Sequence, residues 1–170
     1  MSPLEVTRTY LEMQSPSDLA RADAPDPAGR VERLGFCPTA FFRYLYAEVG
    51  RAYRWTDRLG WTDDQIRTYL DGGDVTIHVF YLEGAPAGYF ELRRHPDRSI
   101  EIAYFGLMGE HIGRGLGAWL LSHATEAAWA ERPDRVWLHT CTLDHPNALP
   151  NYLRRGYRAV RQEVYQIEEA

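Results

Sequence analysis

Two hydrophobic periods take turns along this chain. Val6 to Met13 alternates apolar and polar positions as a half-buried strand does, and a Ser-Pro pair then signals a turn. Residues 21–30, RADAPDPAGR, hold two prolines, a glycine and mixed charge, and read as a loop. From Cys37 the period lengthens: Phe41, Leu45, Val49 and Tyr53 recur at helical spacing, with Pro38 suited to a first helical position. Thr62 precedes a second, shorter helix with Asp63, Asp64 and Gln65 in its first turn and Ile66, Tyr69 and Leu70 inward. Asp71-Gly72-Gly73-Asp74 stops it.

The period then returns to two. Val75 to Leu82 and Ala87 to Arg94 form a hairpin through the turn residues Glu83-Gly84-Ala85-Pro86. A second turn, His95 to Arg98, leads into Ser99–Leu107, where alternation places Ile100, Ile102 and Tyr104 on one face and Glu101, Ala103, Phe105 and Leu107 on the other. A glycine-rich loop follows, and Ala118 to Glu131 continues as a helix with Leu116, Leu120, Ala124 and Ala127 in a stripe. Arg135 to Thr142 is a strand. The next helix has Asn147 as its N-cap, Pro150 in its first turn and Gly156 at its end, and Tyr157 to Glu168 is the last strand.

Composition narrows the class. The chain has 170 residues, 22 of them Trp, Tyr or Phe, so one domain (1–170) with a sizeable core is expected and disorder is not. All 19 basic residues are Arg, against 24 acidic ones, and a net charge of −5 argues against a nucleic-acid binder. No apolar run is long enough for a membrane span, and the opening MSPLEVTRTYLEM has no basic flank before an apolar stretch, so the expected compartment is the cytoplasm. Cys37 and Cys141 are distant in sequence and the six histidines are scattered, so neither a disulfide framework nor a metal site is expected.

The strongest chemical signal is a strand, then IGRGLGA (Ile112 to Ala118), then a helix. A helix start offers unpaired N–H groups, and glycines let a phosphate approach them. A nucleotide P-loop needs Lys and Ser or Thr after the last glycine, where Ala118-Trp119 stands; a dinucleotide fingerprint needs an acidic residue about 20 positions on, near Trp137. Glycines that merely make a tight turn are the plainer alternative.

The segment EIAYFGLMGEHIGRGLGAWLL resembles the acetyl-CoA loop of the GNAT superfamily of N-acetyltransferases, with its pattern Gln/Arg-x-x-Gly-x-Gly/Ala. Arg114-Gly115-Leu116-Gly117-Ala118 matches the glycine half, while Ile112 replaces the usual Gln or Arg and leaves only its backbone N–H for that role. About 30 residues on, NALPNYLRRGY (Asn147 to Tyr157) is similar to the family's N-x-x-A-x-x-x-Y-x-x-x-G-F/Y helix. The likeness covers Val75 to Glu168 closely and the first 70 residues by element order.

The resemblance implies an α/β (α+β) fold: a mixed, mostly antiparallel sheet, splayed between its fourth and fifth strands (Ser99–Leu107 and Arg135–Thr142), with helices on both faces. Acetyl-CoA would lie in the gap as co-substrate, with no metal. Phe105 and Leu107 would run beside its pantetheine and thioester, and the Leu107 N–H would meet charge developing on the acyl oxygen. Ile112 and the loop Gly113, Arg114, Gly115, Leu116, Gly117 and Ala118 would wrap the pyrophosphate, and Asn147 would bond the pantetheine arm. Tyr152 would be the general acid and Glu101 the general base, each against a plainer reading as core or surface packing.

Tyr46, Tyr53, Trp55, Asp57 and Trp61 are candidates for an aromatic and acidic wall around a cationic amine, with ordinary packing as the alternative. The expected partner is a small-molecule or peptide amine, and a homodimer is compatible with the sequence. The leading reading is an N-acetyltransferase. A non-catalytic CoA-binding module on the same fold is its rival, and Glu101 and Tyr152 argue against that.

Overall fold

The computed structural model describes residues 3–168. The elements run β1 (Leu4–Met13), β2 (Arg30–Arg33), α1 (Thr39–Gly50), α2 (Asp63–Asp71), β3 (Val75–Leu82), β4 (Ala85–Arg94), β5 (Ser99–Leu107), α3 (Leu116–Ala130), β6 (Arg135–Cys141), α4 (Ala148–Arg154) and β7 (Arg158–Ile167), with short 3₁₀ turns at Pro16–Asp18 and Gly109–His111. The strands form one sheet in the order β2-β3-β4-β5-β6-β1-β7. All neighbours are antiparallel except β5 and β6, which pair in parallel only at Ser99–Arg135, Ile100–Val136 and Glu101–Trp137 and then part. These are the fourth and fifth strands of the sequence reading; the short edge strand β2, which that reading lacks, moves each up by one.

Both sheet faces are covered where the site forms. Leu116, Trp119, Leu120, Leu121, Ala124 and Ala128 of α3 pack on Phe80, Phe90, Leu92, Ile100, Ile102, Val136 and Leu138. The inner stripe of α3 therefore ends on Ala128; the neighbouring Ala127 is half-buried. On the opposite face Phe42, Leu45 and Val49 of α1 and Ile66 of α2 cover Ile77, Val79 and Tyr89. Full burial of each such large apolar side chain contributes about 1.5–3 kcal/mol.

Three local features depart from the sequence pattern, each for a physical reason. The β3–β4 hairpin turns tightly on Glu83 (φ 52°) and Gly84 (φ 86°), so β4 begins at Ala85 instead of Ala87. Pro38 is the residue before α1, and α1 ends at Gly50, because the bare Cα of Gly50 receives the Trp55 ring: a Cβ there would lie 2.8 Å from Trp55 Cβ. Tyr53 therefore sits beyond the helix. Finally, β5 carries a bulge: Glu91 faces Tyr104 while Leu92 faces Ile102, so Ala103 is the extra residue. Strict alternation fails there. Tyr104 joins the α1–α2 side while Phe105 and Leu107 join Ile100 and Ile102 on the α3 side, and Glu101 does not share a face with Phe105.

Candidate active site

The parting of β5 from β6 opens a cleft of about 1250 Å³. Glu101 is the last β5 residue still paired with β6, so it stands at the vertex of the split, 9% exposed. Its carboxylate lies 2.8 Å from His95 Nε2, and the His95 ring packs on Trp137 at 5.3 Å. Beyond the vertex, Phe105 and Leu107 line the opened edge of β5.

One end of the cleft is the loop before α3. Gly113 (φ 85°) and Gly115 (φ 76°) adopt left-handed backbone, which only glycine enters without strain. A Cβ on either would meet nothing within 4 Å, so conformation alone demands glycine. Gly115 is the α3 N-cap residue and no side chain caps the helix, which leaves its first N–H groups for a ligand. Ile112, Gly113, Gly115, Gly117 and Ala118 line the cleft. Leu116 turns into the core at 2% exposure, and Arg114 points outward with Nη1 3.3 Å from His111 Nδ1. The Ile112 N–H, expected to be free, donates to Gly109 O at 3.3 Å and closes the 3₁₀ turn.

The far wall comes from the β6–α4 connection. Asp144 Oδ2 accepts from the Cys141 N–H at 3.0 Å and from the Thr140 hydroxyl, pinning the chain where β6 ends. Asn147 lines the cleft, but its side chain makes no capping bond; its N–H donates to His145 Nδ1 at 3.1 Å. Tyr152 follows on α4, with its ring edge-on to Phe105 at 6.3 Å. Burial, reinforced by the nearby Asp144 carboxylate, raises the Tyr152 phenol well above its ordinary pKa and keeps it protonated.

At the other end, the α1–α2 loop contributes Tyr53, Trp55 and Asp57 to the cleft. Tyr46 does not reach it. That residue is 2% exposed, stacks edge-on against Tyr104 at 5.4 Å and accepts the Arg58 N–H at 3.2 Å. Trp61 packs parallel to Phe42 at 6.4 Å, behind the wall. The sequence reading omitted His95, Asp144, Asn151 and the Arg58–Glu91 pair. Only Glu91 left a signal, as the one charged residue in the buried run Tyr89 to Leu92. Among the described residues there is no cluster of His, Cys, Asp or Glu that could hold a metal, and no helix long and apolar enough to cross a membrane.

The sheet thus opens between its two parallel strands, with an uncapped helix start at the opening. The sequence model of the Acetyltransferase (GNAT) family matches residues 42–157, and the chain belongs to that family. Among curated proteins none matches by sequence. Solved structures share the fold: a GCN5-related N-acetyltransferase from Kribbella flavida (TM-score 0.63, 20% identity) covers 96% of this chain and 59% of its own. One from Sphaerobacter thermophilus (TM-score 0.64, 15% identity) covers 97% of this chain and 52% of its own. A functionally unknown conserved protein from Staphylococcus epidermidis (TM-score 0.60, 16% identity) covers 96% and 61%. The chain thus spans little more than half the length of these structures.

Proposed function

We propose that this protein transfers the acetyl group of acetyl-CoA to a primary amine by direct attack within a ternary complex. The observation that carries the reading is that β5 and β6 part immediately after Glu101. A carboxylate, the β5 backbone at Leu107, the glycine loop and the Tyr152 phenol thereby border one continuous cleft. The left-handed glycines and uncapped α3 start suit a pyrophosphate, and Asn147 and Asn151 offer amides to the pantetheine arm. The bound co-substrate supplies an acyl group activated as a thioester.

The chain's own groups divide the remaining work. Glu101, with His95 on one side of its carboxylate, takes the proton that an ammonium must lose before its nitrogen can attack. The Leu107 N–H meets negative charge on the acyl oxygen, and a fixed backbone dipole does so without reorganising. Tyr152, held protonated, delivers a proton to the departing sulfur. Trp55 and Asp57 suit the cationic end of an amine.

Thiol release from acetyl-CoA, measured across a broad panel of amines, tests this. Amine-dependent release is expected. Tight CoA binding with no release for any amine would instead favour a non-catalytic CoA-binding module.

A further inference from the structure

Gly106 lies on β5 between Phe105 and Leu107 and faces α1. A Cβ at this position would lie 2.6 Å from Tyr53 Cε2, 3.3 Å from Tyr53 Cζ and 2.6 Å from Val49 Cγ1. The missing side chain is therefore what lets the Tyr53 ring rest directly on the β5 backbone. The ring neighbours Trp55, whose centroid is 5.6 Å away, and the Tyr53 backbone N–H donates to Gly50 O at 3.0 Å. The Met108 N–H pairs with Ala87 O of β4, so the Leu107 N–H, one residue back, points away from β4 toward the cleft that Tyr53 and Leu107 both line. Burial raises the Tyr53 phenol, so the group stays a neutral O–H donor. Tyr53 was expected only as part of an acceptor wall; its ring lies against Gly106, next to the residue whose amide is proposed to meet the acyl oxygen.

We propose that Tyr53 is a catalytic residue, supplying with the Leu107 N–H a pair of donors for the acyl oxygen. The inference rests on the acetyltransferase reading. The Leu107 N–H is not taken by β4, and the Tyr53 ring lies on the backbone of the residue before it. Once an acyl oxygen takes that N–H, the Tyr53 O–H is the donor beside it. As the amine nitrogen bonds to the acyl carbon, the carbonyl electron pair moves onto oxygen and both donors hold it. When that pair returns, the carbon–sulfur bond breaks and sulfur leaves with the bonding electrons, to be protonated by Tyr152. Tyr53 keeps its own proton throughout.

The test is Tyr53→Phe, read by the infrared carbonyl band of bound acetyl-CoA labelled with carbon-13 at the carbonyl, together with turnover. Two donors polarise the carbonyl and lower its stretching frequency. The variant's band should move back toward that of free acetyl-CoA, kcat should fall by about 10²-fold, and affinity for CoA, which lacks the acyl group, should be unchanged. Gly106→Ala keeps the hydroxyl but displaces the ring, and should produce the same band shift. If either variant is less stable, the ratio of acetyl-CoA to CoA affinity in its folded fraction still reports the carbonyl contact. A band unmoved in Tyr53→Phe, or tighter acetyl-CoA binding with kcat unchanged, overturns the Tyr53 assignment alone. Failure of the wild-type protein to bind acetyl-CoA overturns the acetyltransferase reading, and this one with it.

Discussion

Arg58 and Glu91 form a two-pronged ion pair inside the protein, with Nη1–Oε2 at 2.7 Å and Nη2–Oε1 at 3.1 Å and side-chain exposures of 8% and 0%. The guanidinium is boxed by the rings of Tyr104 (4.1 Å), Tyr69 (4.5 Å), Trp61 (4.8 Å) and Phe42 (5.6 Å). Tyr69 joins the network: its hydroxyl accepts from Arg58 Nη2 at 2.9 Å and donates to Glu91. Burial alone would lower the Arg58 pKa, but the adjacent Glu91 outweighs it and fixes the positive charge. The pair ties the α1–α2 loop, which carries Tyr53, Trp55 and Asp57, to the middle of β4.

Removing one partner leaves the other charge buried and uncompensated, which costs about 3–5 kcal/mol, whereas replacing both with apolar groups is often neutral. Glu91→Gln and Arg58→Met should each lower the urea midpoint strongly. The double variant Arg58→Met/Glu91→Leu should recover much of the loss. A double variant as unstable as the sum of the singles would show that Arg58 and Glu91 act independently of one another, and would overturn the pairing as what makes each single loss costly.

His78 gives the fold an acid limit. The ring is buried, stacked on Phe90 at 4.5 Å, and burial with Arg33 nearby depresses its pKa from 6.5 to about 4. A depressed folded value means that the unfolded chain binds the proton more readily. The stabilisation is complete above the unfolded pKa and is lost as pH falls through about 4. The loss should be on the order of 2–3 kcal/mol between neutral and acid pH. In His78→Leu the unfolding free energy should depend less on pH over that window, as chemical denaturation at several pH values will report.

What the sequence disclosed was what depends on neighbours along the chain. The left-handed loop before α3 is legible in Gly113-Arg114-Gly115, because the demand for φ near +80° is local. The hairpin and the capping box at Thr62 and Gln65 are legible for the same reason. The β5 bulge is not, since an extra Ala103 has meaning only against the register of β4. Strand β2, RVER, is too short and too charged to show a period, and it forms because β3 offers it an edge. Tyr53 was misplaced by a turn because its apolar spacing continues the helical period, while the chain turns at Gly50 to bring Trp55 back onto that glycine. That Glu101 and Tyr152 border one cleft came from family resemblance, not from spacing.

Ligand binding should separate the CoA reading from a nucleotide one. CoA and acetyl-CoA should raise the melting temperature, with stabilisation of about 2.7 kcal/mol at about 100 times the dissociation constant, while ATP and NAD should not. Gly115→Ala places a Cβ on a left-handed residue and should cost about 1–2 kcal/mol of stability, yet leave the outlet toward a phosphate open. Gly115→Asp adds negative charge at the start of α3 and should remove most of the CoA-induced shift. Equal stabilisation by NAD would overturn the assignment of this loop.

The two proton carriers should separate by pH once an acceptor amine is known. Tyr152→Phe keeps the ring against Phe105 and removes only the hydroxyl, so packing should survive while turnover falls by about 10²–10⁴-fold. Because burial holds this phenol protonated, its deficit should stay constant across neutral and moderately alkaline pH. Glu101→Gln should behave differently. A base matters most while the amine is still an ammonium ion, so the deficit should shrink as pH rises toward the amine's own pKa. His95→Gln, which removes the imidazole beside Glu101, should change the shape of that profile without abolishing turnover. A Glu101→Gln deficit undiminished at high pH would move the base role elsewhere. Asp144 is the next carboxylate to test, since it lines the same cleft beside Tyr152.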